Sequence, residues 1–264
     1  MLKLENVSFS YQKEKYLIKN LNLEFNPGEI TMIIGKNGSG KTTLCNIISN
    51  FLNYKGKITL DKQNIKKLSN QKLRKKIGII FQNPNNQIIF NKVYDDLKFP
   101  LENLNLTNQE ERIKGSLKML KMENYLNRNP FELSLGEKQR IAISGELAIN
   151  PDYYIFDEIT SMIDHNGKQI IYQIIKDLKS KNKCIIMTTN IMEELLLADR
   201  IIVLDQGNIK NIIKKEELLN KIDLLTNIFT DIPFKIKVLL LLKDKITSYQ
   251  DEDILNYLGD ICKL

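Results

Sequence analysis

Cysteine is scarce in this chain. Cys45, Cys184 and Cys262 are the only three in 264 residues, and they are too scattered for a disulfide framework or a metal cluster. Long apolar runs are missing as well. None approaches the ~20 residues needed to span a bilayer. The longest candidate, Val238-Leu239-Leu240-Leu241-Leu242, has lysines on both sides and reads as a buried helix. No secretory pattern is visible, because Met1-Leu2-Lys3-Leu4-Glu5 leads directly into strand-like alternation. Internal repeats and low-complexity linkers are also absent. These absences exclude a disulfide-stapled secreted domain and a membrane-spanning chain. The expectation is a cytosolic, reduced protein.

What is present is ordinary in bulk: 42% hydrophobic and 27% charged residues, with room for one large domain or a core domain carrying an insertion and a tail. The net charge of +7 comes mainly from lysine, in a chain also rich in isoleucine and asparagine. That bias fits an AT-rich genome. A nucleic acid or an anionic membrane surface would fit it too, and charge alone does not choose.

The informative stretch is Gly35-Lys36-Asn37-Gly38-Ser39-Gly40-Lys41-Thr42-Thr43, which satisfies G-x-x-x-x-G-K-[ST]. Glycines let successive backbone N–H groups turn toward a phosphate, and a following helix adds its positive end. Lys41 is placed to reach the β- and γ-phosphates, and the Thr42 hydroxyl to reach Mg²⁺. The context agrees, with a buried strand over Ile30 to Ile34 and a helix over Thr42 to Phe51.

Along the chain, Leu2 to Ser10 and Leu17 to Phe25 alternate as an antiparallel pair. Short strands are expected at Gly56 to Leu60 and at Ile77 to Phe81, the latter ending at Gln82. From Val93 to about Asn127 the pattern is helical and charged, an α-helical insertion. Ser134 and Glu137 form a possible capping box for the next helix. Tyr153-Tyr154-Ile155-Phe156 is a buried strand that delivers Asp157-Glu158. A helix over Gly167 to Lys179, a strand over Cys184 to Thr188, a short helix through Leu197 and a hairpin around Gly207-Asn208 follow. From Lys214 on the pattern is helical, with Pro233 starting one segment. Alternating strands and helices imply an α/β fold with a mostly parallel sheet covered on both faces. Asp157, at the end of a strand beside the phosphate loop, can hold Mg²⁺ through a water, and Glu158 can orient the attacking water.

With these motifs the chain resembles the ATP-binding subunits of ABC transporters over roughly residues 2 to 215. Leu133-Ser134-Leu135-Gly136-Glu137 is similar to the signature LSGGQ. Through Ser134 and Gly136 it would clamp the γ-phosphate of ATP held by an opposite subunit. Gln82 matches the Q-loop glutamine, which contacts Mg²⁺ or the water. Ser161-Met162-Ile163-Asp164 matches the D-loop, and Tyr11 the aromatic residue that stacks on adenine. A narrower resemblance is to the ATPases of energy-coupling factor transporters, for vitamins and for cobalt or nickel. It rests on Phe81-Gln82-Asn83-Pro84-Asn85-Asn86-Gln87, on Glu158 through Asp164, and on the tail from Phe229-Thr230-Asp231-Ile232-Pro233-Phe234 through Leu242.

The resemblance implies a P-loop NTPase core of ABC type over residues 1–215. It has an antiparallel β subdomain, an α-helical subdomain at about 88–145, and a helical extension at 216–264 that helps hold two ATPases together. ATP would be bound by Tyr11, Gly35, Asn37, Gly38, Ser39, Gly40, Lys41, Thr42, Thr43, Ser134 and Gly136. Mg²⁺ would be held by Thr42, Gln82 and Asp157. Glu158, Lys41, Gln82 and Asn190 would carry hydrolysis. Expected partners are a second ATPase subunit, with a heterodimer favoured over a homodimer, and transmembrane transporter subunits. No nucleic acid is expected, and the place is the cytoplasmic face of the cell membrane.

The sequence departs from the family in two places. The switch histidine should follow Thr188-Thr189, where Asn190 stands instead. Asn190 cannot become cationic but can still donate a hydrogen bond. The only histidine, His165, lies beside the D-loop and reads as an interface or surface residue. In the signature, Leu135 replaces a glycine and Glu137 a glutamine, and a carboxylate near a triphosphate is a potential repulsion. A slower ATP site on this chain is therefore expected. A mainly regulatory nucleotide-binding subunit is the alternative reading. A non-transport ABC ATPase is the third, and it lacks the tandem domains or long coiled-coil insertions usual there.

Overall fold

The structure, a computed structural model, describes residues 1–12, 15–229 and 232–242. Cys262, Thr230, Asp231 and the extension from 243 to 264 lie outside the described residues.

The chain begins with β1 (Leu2–Phe9) and β2 (Ile18–Phe25), antiparallel partners with Leu4 opposite Leu23. Next come β3 (Ile30–Ile34), α1 (Lys41–Ile48), β4 (Lys55–Leu60) and β5 (Gln63–Asn64). Helix α2 (Asn70–Lys76) leads into β6 (Ile77–Ile80). Three helices follow without a strand between them: α3 (Val93–Asn103), α4 (Gln109–Met119) and α5 (Leu135–Ile149). The core resumes with β7 (Tyr153–Asp157), α6 (His165–Ser180), β8 (Cys184–Thr188), β9 (Arg200–Asp205) and β10 (Asn208–Lys214). The short α7 (Ile222–Leu225) and α8 (Phe234–Leu242) complete the described chain.

Two sheets result. One has the order β2-β1-β4-β5 and is antiparallel. The other has the order β10-β9-β3-β8-β7-β6, parallel except for β10. Strand alternation divides the larger sheet between two cores. Met32, Tyr154, Phe156 and Met187 face one core, shared with α3 to α6. Ile33, Tyr153, Ile155 and Ile186 face the other, where α1 is held between the two sheets through Leu44, Ile47 and Ile48. With both faces covered, β3, β7 and β8 read as unbroken apolar runs, as parallel strands do. Each such buried isoleucine or leucine stabilises the fold by about 1.5–3 kcal/mol.

Turn chemistry uses asparagine as much as glycine. Asn50, Asn105, Asn108, Asn150 and Asn182 take positive φ outside the strands, and Asn6 and Asn20 do so at irregularities within β1 and β2, a region asparagine tolerates better than most residues. Asn150 ends α5 in this way.

Several expectations shift. Helix α1 stops at Ile48 rather than running to Phe51, because Asn50 turns left-handed. Helix α6 starts at His165, two residues earlier than expected, with Asp164 as its cap accepting from the Gly167 N–H. The short helix expected through Leu197 is present as a 3₁₀ segment over Met192–Leu197. Helix α2 and the two-residue β5 were not anticipated. The run Val238 to Leu242 is helical but only partly buried. Leu239 and Leu242 face the core, whereas Leu241 is 80% exposed, since a run apolar all round has no side to turn outward but an apolar one.

Candidate active site

The phosphate loop lies at the carboxyl end of β3, in the middle of the parallel sheet. Its shape depends on two glycines. Gly40 caps α1 with φ 104°, a left-handed conformation that strains any side chain. Gly35 runs so close to β9 that a Cβ would sit 2.1 Å from the Leu204 carbonyl oxygen. Lys41 is buried at 5% exposure, and its Nζ donates to the Gly35 carbonyl at 2.9 Å, folding the side chain back over the loop.

Strand β7 delivers Asp157 and Glu158 alongside. Asp157, 1% exposed, accepts from the Thr188 hydroxyl at 2.6 Å. The Glu158 N–H donates to the same Thr188 hydroxyl at 3.0 Å, so one threonine fixes both acids. Glu158 holds φ at +50°, a conformation costing about 1–3 kcal/mol for a residue with a side chain. The Ser161 hydroxyl braces the turn by donating to the Glu158 carbonyl at 2.9 Å. The Glu158 carboxylate then has two partners: Gln82 Nε2 donates to Oε2 at 2.8 Å, and Lys41 Nζ lies 3.5 Å from Oε1. On α1, burial first and the two acids second push the Cys45 thiol well above its usual range, keeping it neutral.

A cleft of about 520 Å³ opens over this group. It is lined by Tyr11, Leu17, Asn37 to Thr43, Gln82, Glu158 and Asn190. Eleven expected residues are thus brought together, and Leu17 joins them unforeseen. Gly35 and Asp157 lie beneath the lining, one holding Lys41 and the other held by Thr188. Tyr11 is 66% exposed, with its ring edge-on to Phe9 and its hydroxyl 3.1 Å from Thr43 Oγ1. Asn190 is exposed at the cleft wall.

Ser134 and Gly136 are not in this cleft. They open α5, where the capping box forms as expected: Glu137 N–H to Ser134 Oγ at 3.3 Å, and Ser134 N–H to Glu137 Oε2 at 2.9 Å. Tyr125 donates to Glu137 Oε1 at 2.7 Å. These hydrogen bonds, from Tyr125 and then Ser134, hold the Glu137 carboxyl below its usual range, so it is ionised and engaged.

Other residues that position the site were missed. Strand β6 is a sheet edge, and its outer backbone groups are satisfied by side chains. Gln87 accepts from the Phe81 N–H at 2.8 Å and donates to the Ile79 carbonyl at 3.1 Å, while Gln139 of α5 donates to the Phe81 carbonyl at 3.0 Å. They fix the backbone immediately before Gln82. No local pattern announces Gln139, whereas Gln87 stands in the Phe81–Gln87 stretch that carries the narrower resemblance without its hydrogen-bonding task being legible there.

The residues fit a bound nucleotide. The first turn of α1 has no side-chain cap, and the Ser39 hydroxyl is buried without a partner, so the loop offers donors to an anion. Among the described residues no group of three or more His, Cys, Asp or Glu could hold a metal.

This phosphate-loop fold, with a helical insertion between β6 and β7, is that of an ABC cassette, and the family model for ABC transporters matches residues 18–161. The chain belongs to the ATP-binding family of ABC transporters. Among its relatives is an energy-coupling factor transporter ATP-binding protein, EcfA1, of Mesomycoplasma hyopneumoniae strain 7448. The two are 41% identical over 98% of this chain and 97% of the relative. The EcfA1 of Mycoplasmopsis synoviae strain 53 is 39% identical over the full length of both. Among solved structures, a dimeric bacterial ABC transporter cassette superposes with a TM-score of 0.74 at 31% identity, over 81% of this chain and 99% of that one. A cbiO1 from Clostridium perfringens, part of an ABC transporter complex, gives 0.73 at 29% identity, over 90% and 98%.

Proposed function

We propose that this chain is the ATP-binding and ATP-hydrolysing subunit of an energy-coupling factor importer. The observation that carries the reading is the contact of Gln82, Glu158 and Lys41 at the mouth of the phosphate loop, in a chain matched along its length by such subunits. ATP would lie with adenine on Tyr11 and its phosphates against Asn37 to Thr43. Mg²⁺, held by Thr42, Gln82 and Asp157, would neutralise charge on the β- and γ-phosphate oxygens.

Glu158 orients a water in line with the γ-phosphorus and takes its proton as the new P–O bond forms, while the bond to the β,γ-bridging oxygen breaks and ADP leaves. Lys41 turns from Glu158 to the phosphates, and the Asn190 amide donates to a γ-phosphate oxygen. A neutral amide stabilises that developing charge less than an imidazolium, so hydrolysis on this chain is slow.

The signature residues Ser134 and Gly136 lie outside the cleft because they serve the site of a second ATPase subunit, in a heterodimer. Residues 88–145 pass closure to transmembrane subunits at the cytoplasmic face, and 216–264 helps hold the ATPases together. Among the described residues no helix is long and apolar enough to cross a membrane, as fits a peripheral subunit. ATP hydrolysis by the purified chain alone and with a second ATPase tests the reading. Slow turnover alone and faster turnover with the partner is expected. Fast, cooperative hydrolysis by the chain alone would overturn the slow-site heterodimer.

A further inference from the structure

Among the described residues Glu194 is the most deeply buried acid outside the phosphate site, at 1% exposure in the 3₁₀ segment after β8. Three hydroxyls serve it. Thr160 donates to Oε1 at 2.5 Å and Tyr172 to the same oxygen at 2.7 Å, while Thr189 donates to Oε2 at 2.5 Å. Thr160 and Thr189 are themselves almost fully buried. Burying a carboxylate is costly, and hydrogen bonds from hydroxyls only offset that cost. What the carboxylate adds is a bridge between two segments distant in sequence.

The segments are those that flank the chemistry. Thr160 is two residues beyond Glu158 and starts the turn that runs into Ser161 to Asp164. Thr189 immediately precedes Asn190, and its hydroxyl also accepts from the Ile191 N–H at 2.9 Å, closing the loop around Asn190. A first clasp, Thr188 on Asp157 and Glu158, joins the same two strands at their ends. Glu194 supplies the second clasp farther out. The turn it holds also meets the start of α5, where a Cβ on Gly136 would lie 3.1 Å from the Met162 carbonyl oxygen.

From this arrangement we infer that Glu194 is a positioning residue for hydrolysis. It sets Asn190 against Glu158 and carries displacements of the 160–164 turn, pressed by the α5 N-terminus, to the Asn190 loop. Its kinetic consequence rests on the ATP-hydrolysing reading given above.

The test uses the full-length chain with a partner ATPase whose own catalytic acid is replaced, so that turnover is read from the site on this chain, and Mg-ATP as the probe. Variants are Thr160→Val, Thr189→Val, the double variant, Glu194→Gln, Glu194→Ala and Tyr172→Phe. Each threonine variant should lower kcat by about tenfold with KM and ATP affinity within about twofold, because positioning for the transition state is lost and ground-state binding is not. The double variant should be no worse than the worse single one, as expected for one bridge cut at either end. Glu194→Gln, which still accepts from Thr160 and donates to Thr189, should keep most of the rate that Glu194→Ala loses. Tyr172→Phe should lower thermal stability and leave kcat in place.

Amide hydrogen exchange gives a readout independent of turnover. Thr189→Val should speed exchange at 159–164 as well as at 189–193. Additive threonine losses, exchange confined to the mutated loop, or ATP affinity falling in step with kcat would each overturn the inference. Absence of hydrolysis by the unmodified complex would overturn the functional reading instead, and the exchange experiment would still decide the role of Glu194. If Glu194→Ala does not fold, the threonine variants decide it.

Discussion

Lys41 Nζ lies 3.5 Å from Glu158 Oε1, both side chains nearly inaccessible, so the lysine that would bind phosphate and the acid that would activate water hold one another. A buried pair of this kind means that breaking one partner strands the other. Gln82 on the second carboxylate oxygen keeps Glu158 aimed into the cleft.

Glu158→Gln separates binding from chemistry. The amide cannot take a proton from water, so kcat should fall on the order of 10²–10⁴-fold. Lys41, released from its ion pair, becomes freer to meet phosphate, so ATP affinity should be equal or tighter. Phosphate release and calorimetric titration with Mg-ATP check the two halves separately. A parallel loss of affinity would mean that Glu158 is needed to shape the loop.

Tyr11 makes its hydroxyl contact with Thr43 and presents its ring, 66% exposed, at the cleft. If the ring carries adenine, Tyr11→Ala should weaken ATP binding by about 1–3 kcal/mol, roughly five- to 150-fold. Tyr11→Phe, which loses only the contact with Thr43, should bind nearly as tightly as the unaltered chain. Equal losses in both variants would assign the role to the hydroxyl.

The parts of the site legible from residue type alone are those written in contiguous residues, whereas Tyr11, Gln82 and Asn190 were named through the family resemblance. The phosphate loop is nine consecutive positions, and β7 is an apolar run ending in two acids, so periodicity and residue type sufficed. Glu194 was invisible because its partners at 160, 172 and 189 are brought together by tertiary structure, and Glu193-Glu194 in isolation looks like a solvated acidic pair. Gln139 was hidden for the same reason, while Gln87 stood in a quoted motif and only the position of β6 at the sheet edge shows its task. The end of α1 was misjudged because the turn there depends on Asn50 at positive φ rather than on glycine or proline.

Asn190 is exposed at the cleft wall, so a larger side chain can be admitted there without disturbing the core. Asn190→His would add a donor able to become cationic, with an unperturbed pKa of about 6.5. Turnover should rise by an amount on the order of tenfold or more, bounded by the 10²–10³ typical of one transition-state donor. KM should stay in place. Unchanged turnover would show that this position does not limit hydrolysis.

Glu146, on α5, points toward β6 where Gly78 leaves it room, since a Cβ there would lie 2.3 Å from Glu146 Oε2. Burial raises its pKa to about 8, against the opposing effects of the Arg74 charge and the Ile79 N–H. The folded protein therefore keeps this proton at neutral pH while the unfolded chain, with an ordinary value near 4.5, has already lost it. Between those two values the native state binds the extra proton, so this group's stabilising contribution is whole below about pH 4.5 and is lost as pH rises toward about 8. Glu146→Gln keeps the shape and an acceptor for Ile79 but cannot ionise. Its thermal midpoint should exceed that of the unaltered chain at pH 8, by about 2–4 °C for each kcal/mol recovered. The two midpoints should converge near pH 5. A difference that is the same at both pH values would mean that Glu146 is ionised in the folded protein, paired with Arg74 rather than neutral.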